Sequence, residues 1–191
     1  MKTYLNDYLQ RIAVILSKSP LEELNSAIEL LMSAREEGKW IFAAGNGGSA
    51  ATASHFVNDF LKGLSLKNKK RFKVMALNDC VPVLSALAND YSYDVCYEEQ
   101  LKNYGSAGDV LVIYSGSGNS ENVVRAAEYA KSINMKVLAF TGRDGGKLNS
   151  YCDINCIAPT EVMEEIEDVH MVWEHAFVSG IREVIRAESE L

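Results

Sequence analysis

Histidine and cysteine are both scarce in this 191-residue sequence. Three histidines occur, His55, His170 and His175, with four cysteines, Cys80, Cys96, Cys152 and Cys156. The cysteines show no zinc-ribbon spacing, and Cys152-x-x-x-Cys156 falls in a strand-like segment. They read as buried free thiols of a protein kept in a reducing compartment. Positive charge is also short: 19 Lys and Arg stand against 26 Asp and Glu, for a net charge of −7. That deficit argues against electrostatic binding to nucleic acid or a membrane surface as the main activity. A small anion could still bind, but backbone N–H groups would have to hold it. No apolar run approaches the roughly 20 residues of a membrane helix. The first residues, Met1 to Asp7, lack the apolar core of a signal peptide. The expectation is a cytoplasmic protein.

The composition, 48% apolar and 24% charged, is that of a globular chain. Its length suffices to bury a core without disulfides. Leu5, Tyr8, Leu9, Ile12, Ile15 and Leu16 recur at helical spacing. Ser19 as cap and Pro20 as first residue then predict a second helix, continued by Ala27, Leu30, Leu31 and Ala34 and ended by Gly38. Short apolar runs predict strands at Trp40–Ala44, Phe72–Leu77, Val110–Tyr114, Lys136–Phe140 and Cys152–Ile157. Helices are predicted between them at about 50–61, 82–89 and up to Ala130, with a long final helix over 160–188. An aromatic stretch runs from Tyr91 to Tyr97. The stretch Lys62 to Arg71, with five Lys or Arg, is the most loop-like. Strands alternating with helices predict a parallel sheet covered on both faces. With no low-complexity linker, the chain reads as a single α/β domain over residues 1–191, comprising N-terminal helices (1–37) and an α/β core (38–191).

Two loops stand out. Gly45-Asn46-Gly47-Gly48-Ser49 and Ser115-Gly116-Ser117-Gly118-Asn119-Ser120 each join a predicted strand to a predicted helix. In an open α/β sheet, ligands bind outside the carboxyl ends of the strands. Glycines admit the backbone close to a ligand, and helix N-termini present free N–H groups. Three hydroxyls around one turn suit a phosphate monoester. Neither loop is followed by a P-loop lysine, which disfavours a nucleoside triphosphate. Neither matches G-x-G-x-x-G, which disfavours a dinucleotide. Two ordinary turns with capping serines would look the same locally.

His55 and Asp59 are four apart on the helix after the first loop and share a face. His170 and His175 lie on the last helix about 140° apart, so one at most faces a site there. His55, Asp59, Glu167 and His175 form a plausible nitrogen and oxygen metal set. Glu167 and His175 are eight residues apart, roughly 12 Å of helical rise, so their meeting would need a bent or unwound helix start. Packed or surface histidines are the plain alternative.

Ala44-Gly45-Asn46-Gly47-Gly48-Ser49-Ala50-Ala51 followed by His55-Phe56 resembles the phosphoheptose isomerases of the sugar isomerase (SIS) superfamily. So do Ala88-Asn89-Asp90-Tyr91, the 115–120 loop, Thr141-Gly142-Arg143-Asp144-Gly145-Gly146 and the spacing of His170 to His175. The resemblance spans nearly the whole chain, in order. It implies a three-layer αβα sandwich with a five-stranded parallel sheet (the SIS fold), and a homotetramer with active sites shared between subunits. It implies isomerisation of sedoheptulose 7-phosphate to D-glycero-D-manno-heptose 7-phosphate by enediol(ate) proton transfer.

Transferred by position, the resemblance puts Asn46, Gly47, Gly48, Ser49, Asn89, Asp90 and Glu167 on substrate. It puts Ser115, Gly116, Ser117 and Ser120 on the phosphate. The family's zinc ligands fall on His55, Asp59, Glu167 and His175, and its acid/base pair on Asp59 and His175. The family usually has Glu at Asp59, Gln at Glu167, and a Gly-Arg step where this chain reads Lys62-Gly63. Two other readings follow from the same resemblance: a non-catalytic SIS protein that associates with the bacterial replication initiator, and an isomerase of another sugar phosphate.

Overall fold

The structure, a computed structural model, describes residues 1–65 and 70–189. Two helices come first, α1 (Lys2–Leu16) and α2 (Leu21–Glu37). Gly38 closes α2 at φ +65°, a left-handed position that glycine takes without strain. Pro20, not Ser19, occupies the cap of α2. The Ser19 hydroxyl is otherwise engaged: it donates to the Leu16 carbonyl (2.8 Å) and accepts from Trp173 Nε1 (2.8 Å).

The five predicted strands are all present, as β1 (Trp40–Gly45), β2 (Lys73–Ala76), β3 (Val110–Ser115), β4 (Lys136–Gly142) and β5 (Ile154–Ala158). They form one fully parallel sheet in the order β2-β1-β3-β4-β5. Between them run α3 (Gly48–Asn58), α4 (Val81–Asp90), α5 (Cys96–Tyr104) and α6 (Glu121–Ser132), and α7 (Met163–Ser189) follows β5. The predicted loop at Lys62 to Arg71 begins as helix: residues Asp59–Leu64 continue α3 in π form. Its centre, 66–69, lies outside the described residues. The helix α5 was not legible in the sequence, because its apolar residues are few and the aromatic stretch masks its start. That stretch contains one turn of 3₁₀ helix, Tyr93–Val95.

Alternation along the strands sorts the core into two layers. Ile41, Ala43, Val110, Val112, Leu138 and Phe140 pack with α1, α2, α3 and α7. Phe42, Ala44, Leu111, Ile113, Val137 and Ala139 pack with α5 and α6. Burial on both faces explains why these strands read as continuous apolar runs. Of the cysteines, Cys96 and Cys156 are buried, whereas Cys80 is exposed and Cys152 half-buried; all are free thiols. Among the described residues, no helix is long and apolar enough to cross a membrane.

Both flanking neighbours of β1 are reached by opposite connections, so the strand order reverses between β1 and β3. The crevice outside the carboxyl ends of these two strands is where an open α/β sheet binds ligands. The two glycine-serine loops leave β1 and β3 at that point.

Candidate active site

A cavity of about 300 Å³ opens between the two loops. Asn46, Gly47, Gly48 and Ser49 line one side; Ser115, Gly116, Ser117 and Ser120 line the other. Tyr114, Met163 and Glu167 complete the wall. Helix α3 begins at Gly48 and α6 at Glu121, so two helix N-termini, each with unsatisfied N–H groups, meet the same space. Ser120 precedes α6 without spending its hydroxyl on a cap hydrogen bond. Within the second loop, Ser115 Oγ accepts from Gly118 N (3.2 Å) and Ser117 Oγ from Asn119 N (3.2 Å). The concavity is polar and suited to a compact dianion.

Asn46 is held by a network the sequence did not reveal. Its Oδ1 accepts from Asn122 Nδ2 (2.9 Å) and from the Tyr93 hydroxyl (2.8 Å), while its Nδ2 donates to Asn122 Oδ1 (2.9 Å). The Tyr97 hydroxyl donates to the Gly45 carbonyl. The aromatic stretch therefore acts as a brace for the first loop.

Beside the cavity lies a second cluster. His55 and Asp59 come from α3 and the π segment that follows it, and Glu174 and His175 from α7. One ligand atom from each lies within 4.8 Å of every other. The two imidazoles meet Nε2 to Nε2 at 3.0 Å. His55 Nε2 lies 3.7 Å from Asp59 Oδ2 and 3.9 Å from Glu174 Oε2. His175 Nε2 lies 3.6 Å from Glu174 Oε2. At this distance one imidazole donates to the other, with the roles set by the tautomers, and the same two nitrogens converge on the point that a cation would occupy. A tetrahedral zinc set with bonds near 2.1 Å would space its donors by roughly 3.4 Å. The separations here bracket that value.

Glu174 is the member that sequence reasoning missed. Its carboxylate is fully buried, and neither oxygen has a hydrogen-bond partner. Burial, with Asp59 nearby, pushes its pKa up to about 7. An unpaired buried carboxylate is costly unless a cation or a proton meets it. The donor types present therefore fit a divalent cation.

Glu167 corrects an expectation. It is not a member of this cluster; its carboxylate stands against Gly48 at the start of α3. The helix is already formed at Met163, so the separation between Glu167 and His175 is not shortened by unwinding. Asn89 and Asp90 also lie elsewhere: both are exposed at the end of α4, where Asn89 Nδ2 donates to Asp90 Oδ1 (2.9 Å), and neither lines the cavity. His170 belongs to the core. It is buried among Tyr114, Phe140 and Trp173, with Nε2 3.0 Å from the Thr141 carbonyl, and burial lowers its pKa to about 4.

The family model described as SIS domain matches residues 3–142. A phosphoheptose isomerase of Bordetella avium is 40% identical over 172 residues, covering 88% of this chain and 87% of the relative. The chain belongs to the phosphoheptose isomerase family of SIS-domain proteins. Another phosphoheptose isomerase, of Clostridium acetobutylicum, is 37% identical over 155 residues, covering 81% of this chain and 79% of its own. The solved phosphoheptose isomerase of Neisseria gonorrhoeae superposes with a TM-score of 0.87 at 32% identity, over 95% of this chain and 98% of its own. That of Francisella tularensis gives 0.87 at 26% identity, over 95% and 96%. The αβα sandwich implied by the family resemblance is thus the fold observed.

Proposed function

We propose that this protein is a cytoplasmic aldose–ketose isomerase that converts sedoheptulose 7-phosphate to D-glycero-D-manno-heptose 7-phosphate. The observation that carries the reading is the adjacency of two sites: a polar cavity ringed by two helix N-termini, and a His–carboxylate cluster beside it. The phosphate sits between the loops, held by main-chain N–H groups of 46–49 and 115–117 and by the hydroxyls of Ser115, Ser117 and Ser120. The sugar then extends towards Asp59 and His175.

Isomerisation moves a proton between C1 and C2 through an enediol(ate). It needs a base at the carbon, an acid at the carbonyl oxygen, and little water. Asp59 and His175 fill these two roles. His55 packs edge-on against His175, with ring centroids 5.0 Å apart, and fixes its orientation. Zinc is the cation that His55, Asp59 and His175 would hold. When bound it polarises the substrate carbonyl oxygen. Glu167, at the cavity wall, contacts the sugar and does not ligate the metal. The two retained histidines meeting at one point favour catalysis over a purely binding role.

The active unit is a homotetramer. Helix α4 carries Val81, Pro82, Val83, Leu84, Ala86 and Leu87 yet buries no residue within its own subunit. On α1, Tyr4, Leu5, Leu9 and Val14 are exposed. Such apolar surface marks a contact between subunits. Asn89 and Asp90, at the end of α4, reach substrate in a neighbouring subunit's site.

The test is a product assay over ketose phosphates of five, six and seven carbons, with and without a chelator. Turnover restricted to the seven-carbon substrate and abolished by chelation is expected. Equal turnover on a shorter sugar would reassign the substrate, and no turnover on any would remove the isomerase reading.

A further inference from the structure

Helix α7 presents two carboxylates that could serve the cation, Glu167 and Glu174. They differ in what surrounds them. The Glu167 carboxylate is half-buried against the first turn of α3, where the N-terminal dipole favours an anion without any metal. The Glu174 carboxylate has no such support. It is buried completely, neither of its oxygens has a hydrogen-bond partner, and two imidazole nitrogens stand 3.6 and 3.9 Å from Oε2. Asp59, a second carboxylate, faces the same point. A fold that buries Glu174 completely beside a half-buried Asp59 and two more accessible histidines, and gives neither Glu174 oxygen a hydrogen bond, is built to receive positive charge there.

We infer that Glu174 is a direct donor to the divalent cation, completing a set of His55, Asp59, Glu174 and His175 on one subunit. Two negative donors and two neutral ones would leave a bound zinc ion formally neutral. The set would bind more tightly than one whose fourth donor is a distant or neutral group. The price is paid by the metal-free protein, which must bury Glu174 uncompensated. The inference rests on reading this cluster as a cation site, but not on the sugar that is isomerised.

The test is zinc titration by calorimetry of the chelator-stripped full-length protein, with cobalt(II) absorption as a second readout of donor number. Wild type, Glu174→Gln, Glu174→Leu and Glu167→Ala are compared, and the thermal midpoint of each is measured without metal. We expect about one zinc per chain in wild type and a loss of about 100-fold in affinity for either Glu174 variant, the upper end of what even indirect metal partners cost. Glu167→Ala, which removes the donor altogether, should bind within a few-fold of wild type. Metal-free Glu174→Leu should melt above wild type, because an unpaired carboxylate has been replaced by an apolar group of similar size. Should the Gln variant fail to fold, the Leu variant carries the comparison. Retained affinity in the Glu174 variants, with or without loss in Glu167→Ala, overturns the inference and leaves the zinc isomerase standing. If wild type binds neither zinc nor cobalt, the inference and the metal fall together, and activity in chelator then decides the isomerase separately.

Discussion

The carboxylate of Glu167 stands 2.6 Å from where a Cβ on Gly48 would project. The Glu167 carboxylate of α7 lies against the first turn of α3 in this position because residue 48 has no side chain. The obstructing atoms are the far end of a flexible side chain, and Gly48 needs no left-handed backbone, so Gly48→Ala should fold. Stability should change by less than about 1 kcal/mol, since Ala is the better helix former. The displaced carboxylate must swing, and KM for the phosphosugar should rise with little change in fold. Chemical denaturation together with steady-state kinetics checks both halves.

Gly118 contrasts with it. Its φ is +64°, and a Cβ there would stand 2.0 Å from the Gly145 carbonyl oxygen. Both the backbone conformation and a backbone neighbour forbid a side chain. Gly118→Ala should cost at least about 2 kcal/mol and should misplace Ser117 and Ser120 together. The readouts are the denaturation midpoint and phosphosugar affinity, and a neutral effect on both would count against the loop geometry.

His175→Ala should lower kcat by at least about 100-fold, the lower end of general acid–base contributions. Phosphosugar binding should survive, because the phosphate cavity lies on the other loops. Isothermal titration with the ketose phosphate separates the two effects. An unaltered rate would remove His175 from the mechanism.

The Glu174 carboxyl titrates near 7 when folded, against an ordinary value of 4.5. Its folded pKa is raised, so the favourable state is the protonated one. Stability from this group is full below about pH 4.5 and is lost as pH rises through 7. His170, lowered to about 4 by burial, works in the opposite direction, costing stability as pH falls below 6.5. The two overlap in a raw profile. The difference between metal-free wild type and Glu174→Gln isolates the first. That gap should open from pH 4.5 and level off above 7, the shift from 4.5 to about 7 corresponding to about 3 kcal/mol in favour of the variant.

Light scattering at micromolar concentration should show a tetramer. Leu9→Lys, on the exposed apolar face of α1, should shift the population to smaller species while leaving the circular dichroism of the subunit unchanged. A monomeric wild type would refute the proposed assembly.

Much of the fold was legible because it is written in local patterns. Trp40–Ala44 and Val110–Tyr114 are apolar without interruption, as only a strand covered on both faces needs to be. The Gly-Asn-Gly-Gly-Ser and Ser-Gly-Ser-Gly-Asn-Ser loops announce themselves by composition, and the strand-to-helix context says which end of the sheet they occupy. Helix α5 escaped because Cys96 to Tyr104 contains too few apolar residues for a periodicity, and its burial comes from Tyr97, Gln100 and Leu101 packing against α6 and Leu77, just after β2.

The amino-acid order alone determined the five parallel strands, the two glycine-serine turns and the pairing of His55 with Asp59, since each depends on residues close together in the chain. The tertiary structure decided which carboxylate of the last helix meets those two. Glu167 and Glu174 look equivalent as letters, and only the crossing of α7 over the end of α3 turns one towards Gly48 and seals the other behind His175. It also left α4 without a fully buried residue and Asn89 and Asp90 away from the cavity of their own chain. The physical reason is that helix packing fixes a side chain's surroundings through partners distant in sequence, and burial, not spacing, sets what an ionised group must find there.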